Sequence, residues 1–225
     1  MSHIKQQVWL AGATGLVGRA LLTQLLHEPI QLHALLRHPA KDLPSSPRLQ
    51  LHQVDFTRAD LAACDLDHPD AVYICLGSTM AVAGSQAAFR AVDFDAVLNV
   101  ARAARAAGAS RCAVVSALGA DPASAVFYNR VKGDMEQALI ALQFEHLVIA
   151  RPSLLAGERE KLGQARRSGE AWALRLSKPF YSLIPSKWRP IRAEVLARAL
   201  ILALGQDGPA VHLLESDELQ SLGAT

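Results

Sequence analysis

The sequence predicts an α/β fold: a doubly wound parallel sheet carrying a small C-terminal cap. Three observations point there. Short apolar runs alternate with helical periods along most of the 225 residues. Runs such as Ala71-Val72-Tyr73-Ile74-Cys75 are apolar throughout, as expected of strands covered on both faces. A glycine-rich turn separates the first such run from the first helical period.

The elements follow in order. Strands are expected at residues 6–11, 31–36, 49–54, 71–75, 111–116 and 146–151, with helices at 15–27, 86–107, 124–143 and 194–204. The alanine-rich helix 86–107 stops at Gly108, a residue suited to a helix C-terminus. Pro39, Pro44, Ser45, Ser46 and Pro47 mark residues 38–48 as a surface loop. After residue 151 the rhythm loosens. Residues 152–192 hold Pro152, Pro179, Pro185 and Pro190 together with Trp172, Phe180, Tyr181 and Trp188. They predict a cap over the carboxyl edge of the sheet, where open α/β sheets bind their ligands, within one domain spanning residues 1–225.

Composition narrows the class. Hydrophobic residues make up 51% of the chain and charged residues 20%, ordinary for a globular protein. A net charge of +2 supplies no field for nucleic acid or an anionic membrane. No apolar run reaches membrane-spanning length, and Met1 to Gln6 lack the plan of a signal peptide. Cys64, Cys75 and Cys112 are scattered among apolar neighbours, which predicts reduced thiols in a cytoplasmic protein. The histidines show no metal-ligand spacing, so no metal site is expected.

The turn after the first strand reads Gly12-Ala13-Thr14-Gly15-Leu16-Val17-Gly18. Gly12 permits a tight turn. Gly15 lets backbone N–H groups approach a pyrophosphate where a Cβ would obstruct. Gly18 lets the new helix pack close to the strand. The helix N-terminus then offers unpaired donors and partial positive charge to an anion. Thr14, Leu16 and Val17 complete the expected dinucleotide-binding loop. The spacing is G-x-x-G-x-x-G, and a plain strand–turn–helix corner uses the same glycines.

Selectivity is read at the end of the second strand. Leu36 is followed by Arg37 and His38, with no acid before Asp42. An arginine there suits a 2′-phosphate, so NADP(H) is expected over NAD(H). Asp55, beside Phe56 after the third strand, is placed to accept from an adenine amino group; its other reading is a turn residue. Leu76, Gly77 and Ser78 follow the fourth strand, where a cofactor ribose would lie.

Candidate chemistry comes from Ser116, Tyr128 and Lys132. Tyr128 and Lys132 stand four apart on one helix and share a face. An ordinary tyrosine hydroxyl holds its proton to about pH 10, and a nearby ammonium favours the phenolate. Tyr128 then serves as proton donor to a carbonyl during hydride transfer, with Lys132 also holding ribose hydroxyls and Ser116 orienting the carbonyl. A chance Y-x-x-x-K on a helix surface is the competing explanation.

Together these residues resemble the short-chain dehydrogenase/reductase superfamily. The shared pieces are the Gly12–Gly18 loop, Asp55-Phe56, Leu76-Gly77-Ser78, Tyr128 with Lys132, and Arg151-Pro152-Ser153. More closely, the chain is similar to atypical NAD(P)-binding members, bacterial relatives of the mammalian Tat-interacting oxidoreductase-like protein. Val92-Asp93-Phe94-Asp95, Phe127 to Gly133 and Arg151 to Glu160 carry that closer match. The resemblance implies a Rossmann fold, NADP(H) binding and Tyr128 and Lys132 as the catalytic pair, with Pro152 and Ser153 bordering the nicotinamide amide. One departure stands out: Ser116 is followed by Ala117, where the superfamily commonly has a second hydroxyl that is the catalytic one.

The expectation is an NADP(H)-dependent oxidoreductase acting on a small carbonyl or alcohol. A dinucleotide-binding regulatory or sensor protein without turnover, its cap contacting a protein partner, is the alternative. An enzyme acting on nucleotide-sugars, an epimerase or dehydratase, is the third reading. Arg159, Arg166 and Arg167 in the cap are candidate anion contacts, though charged runs usually form a solvated face.

Overall fold

A computed structural model describes residues 6–40, 42–58, 68–156 and 185–224. Cys64, Arg159, Arg166, Arg167, Trp172, Phe180 and Tyr181, and with them most of the expected cap, lie outside the described residues.

Seven parallel strands form one sheet. They are β1 (Gln7–Ala11), β2 (Gln31–Leu36), β3 (Leu49–Gln53), β4 (Ala71–Ile74), β5 (Arg111–Val115), β6 (His146–Arg151) and β9 (Val211–Glu215), in spatial order β3-β2-β1-β4-β5-β6-β9. A separate two-stranded piece pairs β7 (Leu155–Ala156) with β8 (Ile191–Arg192). Chain order reverses between β1 and β4, which opens a crevice beyond their carboxyl ends. Ala11 of β1 stands opposite Leu35 of β2 on one side and Ile74 of β4 on the other.

Helices cover both faces. On one lie α1 (Leu16–Leu25), α6 (Ala193–Gly205) and α7 (Ser216–Ala224). Leu21, Leu22, Leu196, Leu200 and Leu219 pack there against Leu10, Leu32 and Val148. On the other face a long helix changes pitch midway: α3 (Gln86–Arg90) passes through a π-helical turn, Ala91–Ala96, into α4 (Val97–Ala106). It lies with α5 (Phe127–Ile140) over Trp9, Val72, Val114 and Ile149. Burying each such leucine or valine contributes about 1.5–3 kcal/mol, so the two layers hold the strand ends in fixed register.

The six expected strands are present within a residue at each end. The expected helix at 86–107 is not uniformly α-helical, because the π-turn interrupts its period. Helix α2 (Met80–Ala83) was not expected; Thr79 accepts from the Val82 amide to start it. Beyond the expected helix at 194–204, β9 and α7 continue the α/β rhythm to the end of the described residues, which was not foreseen. The seventh strand escaped notice because it is an edge strand: Val211 and Leu213 are partly exposed, and His212 and Glu215 break its apolar run.

Candidate functional site

The glycine turn crosses the crevice at the topological switch point. Gly12 has φ of +91°, and a Cβ there would come within 2.6 Å of the Cys75 carbonyl oxygen at the end of β4. Gly18 is tighter: a Cβ would stand 1.9 Å from the Gly12 oxygen. Gly15 differs from both. Its backbone is extended, and its Cβ position meets only the Gly12 oxygen at 3.3 Å. Gly15 is the N-cap of α1, and no side chain caps the helix. The first-turn amides are therefore left to an anion, in a cradle that a side chain at residue 15 would begin to fill. Thr14 is exposed, Leu16 half-buried and Val17 buried in the core. These features fit a dinucleotide pyrophosphate.

Further along the crevice, Arg37 is exposed directly after β2. Nearby, Arg19 of α1 pairs with Asp42 and holds that carboxyl below the usual range by hydrogen bonding. The Asp55 carboxylate accepts from both the amide and the hydroxyl of Thr57, at 2.9 and 2.7 Å, and so carries out the turn role. Phe56 is buried in the core beneath it, and the Asn99 amide donates to its carbonyl. Leu76 is half-buried at the end of β4, with Gly77 exposed beyond it.

Tyr128 and Lys132 occupy one face of α5, as their spacing predicts, and Glu136 continues the stripe. Gly133 is why α5 sits where it does: a Cβ there would approach the Pro122 nitrogen to 2.2 Å, so only glycine lets the helix lean on the loop after β5. The Tyr128 ring rests on Phe89 at 5.4 Å between centroids. Lys132 is 3% exposed, and its Nζ lies 2.8 Å from Asp93 Oδ1. The other Asp93 oxygen accepts from the Ser78 amide at 2.7 Å. Burial opposes charge on Lys132, but Asp93, Tyr128 and Glu136 outweigh it and raise its pKa above the ordinary lysine value.

Ser116 follows β5 and is brought to the same helix. Its hydroxyl donates to Glu136 Oε1, and Arg151 of β6 holds that carboxylate from the other side at 3.0 and 2.5 Å. Arg151 also reaches Glu215 of β9 at 3.3 Å. Ser116 is thereby engaged in a buried polar network, beside the buried Ala117. Pro152 is buried, and the Ser153 hydroxyl donates to the Arg189 carbonyl just before β8. Asp93 was noted in sequence only within the Val92–Asp95 resemblance and given no role, and Glu136 was not picked out. The available signal was the acids Asp93 and Asp95 amid the alanines of helix 86–107, and Glu136 four residues beyond Lys132 on its face.

Residues 12–171 match the model of the NAD(P)H-binding family. The chain belongs to that family. Among its relatives is a protein of Emericella nidulans named Protein fmp52, mitochondrial, 33% identical over 202 residues, with 87% of this chain and 86% of the relative covered. Protein HTATIP2 of Rattus norvegicus is 30% identical over 225 residues, covering 97% and 89%. In structure, the fold resembles the Bordetella bronchiseptica enzyme WbmH, in complex with NAD+, with a TM-score of 0.70 at 17% identity, over 94% of this chain and 75% of that one. Together these place this NAD(P)H-binding protein among atypical, short-chain dehydrogenase/reductase-like Rossmann proteins. The cytoplasmic location expected from sequence is overturned: the fungal relatives are named mitochondrial. A reduced-thiol composition does not separate the two compartments.

Among the described residues, Cys75 and Cys112 are free thiols, and burial raises both, Cys75 to about 12. No group of three or more His, Cys, Asp or Glu among the described residues could hold a metal ion. No described helix is long and apolar enough to cross a membrane.

Proposed function

We propose that this protein is an NADP(H)-dependent oxidoreductase that reduces a small carbonyl or oxidises the corresponding alcohol. The observation that carries the reading is the pairing of Tyr128 with a buried, charged Lys132 on one face of α5, on the sheet face opposite the uncapped glycine-loop helix α1. The loop amides of α1 bind the pyrophosphate, Arg37 meets the 2′-phosphate, and Lys132 holds the ribose hydroxyls. When bound, the nicotinamide supplies the hydride. Tyr128 delivers the proton to the carbonyl oxygen, or takes it in reverse. Ser116 supports α5 through Glu136 instead of touching the substrate, so Tyr128 is the sole side-chain hydroxyl assigned to the reacting carbonyl.

The test is NADPH consumption, followed by absorbance, across aldehydes, ketones and quinones. Turnover that disappears in Tyr128→Phe supports the reading. A second reading is favoured by the engagement of Ser116 with Glu136 and by Ala117: a dinucleotide-binding sensor without turnover. Tight NADPH binding with silence across the panel would select it.

A further inference from the structure

Asp93 is the feature of this site that neither glycine loop nor Tyr–Lys spacing explains. It is a carboxylate 1% exposed, carried by the π-turn in the long helix, and both of its oxygens are engaged. Oδ1 faces Lys132 Nζ at 2.8 Å, and Oδ2 accepts from the Ser78 amide at 2.7 Å. The loop after β4 lies directly over the pair: a Cβ on Gly77 would stand 3.3 Å from Asp93 Oδ1 and 3.9 Å from Lys132 Nζ. Three segments from different parts of the chain thus meet on one carboxylate. Local π-turns are recurrent at functional sites, where the extra residue re-aims a side chain.

We propose that Asp93 is the positioning residue of the cofactor site, fixing the Lys132 ammonium and the Gly77–Ser78 loop together so that both meet the ribose in one arrangement. The proposal rests on the NADP(H)-binding reading, and on the oxidoreductase reading only for one arm of its test. Lys132 has three protons to donate and gives one to Asp93, which leaves two for ribose hydroxyls. A buried ammonium without a counter-charge sheds its proton readily. Asp93 prevents this, so Lys132 stays a donor across the physiological range. The groups facing Lys132 are Asp93 from the π-turn and Tyr128 and Glu136 from its own helix, and Glu136 is itself neutralised by Arg151.

The experiment measures NADPH affinity against pH for wild type and Asp93→Asn. Wild-type affinity is expected to stay level through the range in which an ordinary lysine keeps its proton, whereas in the variant it falls off at clearly lower pH. Where a carbonyl substrate turns over, the alkaline limb of kcat/KM should move by the same amount. The binding arm needs no turnover, so a silent enzyme would sink the oxidoreductase reading without touching this one. A uniform loss of affinity with the limb unmoved would make Asp93 merely structural and overturn the proposal, as would no change at all. If the variant does not fold, wild type decides alone. Calorimetric NADPH titration at about pH 9.5, in two buffers of different ionisation enthalpy, should show no proton uptake; uptake of about one proton would mean that Asp93 does not hold Lys132 charged.

Discussion

Ser116 donates its hydroxyl proton to Glu136, and Arg151 grips the same carboxylate at 2.5 Å, so the end of β5, the middle of α5 and the end of β6 are tied by one buried polar cluster. The Ser116 hydroxyl is thereby engaged with a buried carboxylate. The cluster lies one helical turn from Lys132, and it fixes the height at which α5 presents the lysine and Tyr128 to the crevice.

Ser116→Ala should therefore act on stability more than on chemistry. A hydrogen bond to a charged group contributes about 1.5–3 kcal/mol, and part of it remains with Arg151. Thermal unfolding should occur at lower temperature, while turnover of any accepted carbonyl changes by less than about tenfold, short of the roughly hundredfold worth of a positioned proton-transfer group. A larger loss of turnover at unchanged stability would return Ser116 to the reacting carbonyl. Ala117→Ser, which restores a hydroxyl beside it, should raise turnover.

The glycine loop separates folding from binding residue by residue. Gly18→Ala forces a Cβ onto the Gly12 carbonyl at 1.9 Å and should prevent stable folding. Gly15→Val has ordinary extended backbone and a single contact at 3.3 Å to relieve, so it should fold, yet lose at least tenfold in NADPH affinity because its branched side chain stands where the anion must approach. Circular dichroism with calorimetric titration distinguishes the two. A folded Gly15→Val that binds like wild type would remove the pyrophosphate from this loop.

Much of this was legible in the sequence, for physical reasons. Buried parallel strands such as Ala71–Ile74 write themselves as apolar runs, and Gly12 and Gly18 are demanded by contacts too close for any Cβ. The Tyr128–Lys132 face follows from helical spacing alone. The partners of those side chains were not legible. Asp93 reaches Lys132 across 39 residues of chain (132 minus 93), and its aim depends on a π-turn that alanine-rich sequence does not announce. Ser116 reads as a free hydroxyl until α5 is docked and Glu136 arrives beside it. Edge strand β9 was missed because its pattern is diluted by exposure, not because it lacks apolar residues.

Arg37 should decide between the two dinucleotides. A charge-assisted contact to a 2′-phosphate contributes roughly 1.5–3 kcal/mol, so Arg37→Ala should weaken NADPH about 10- to 150-fold and leave NADH nearly unchanged. Equal affinity of wild type for both would make the arginine a bystander.

The Asp93–Lys132 pair makes the last prediction, because it separates a lysine that does chemistry from one that holds the fold. Lys132→Met strands the Asp93 carboxylate in a site 1% exposed, a loss of about 3–5 kcal/mol for a broken buried pair. At roughly 2–4 °C per kcal/mol for a chain this long, its Tm should fall by about 6–20 °C. Loss of activity in that variant alone would prove little. Lys132→Met combined with Asp93→Asn removes both charges and should recover most of the Tm, while NADPH affinity and turnover stay low, since no ammonium remains for the ribose. Tyr128→Phe keeps the ring on Phe89, so its Tm and NADPH affinity should match wild type while turnover falls about two to four orders of magnitude. If the double variant regains cofactor affinity along with Tm, Lys132 serves the fold only, and the ribose contact belongs to another residue.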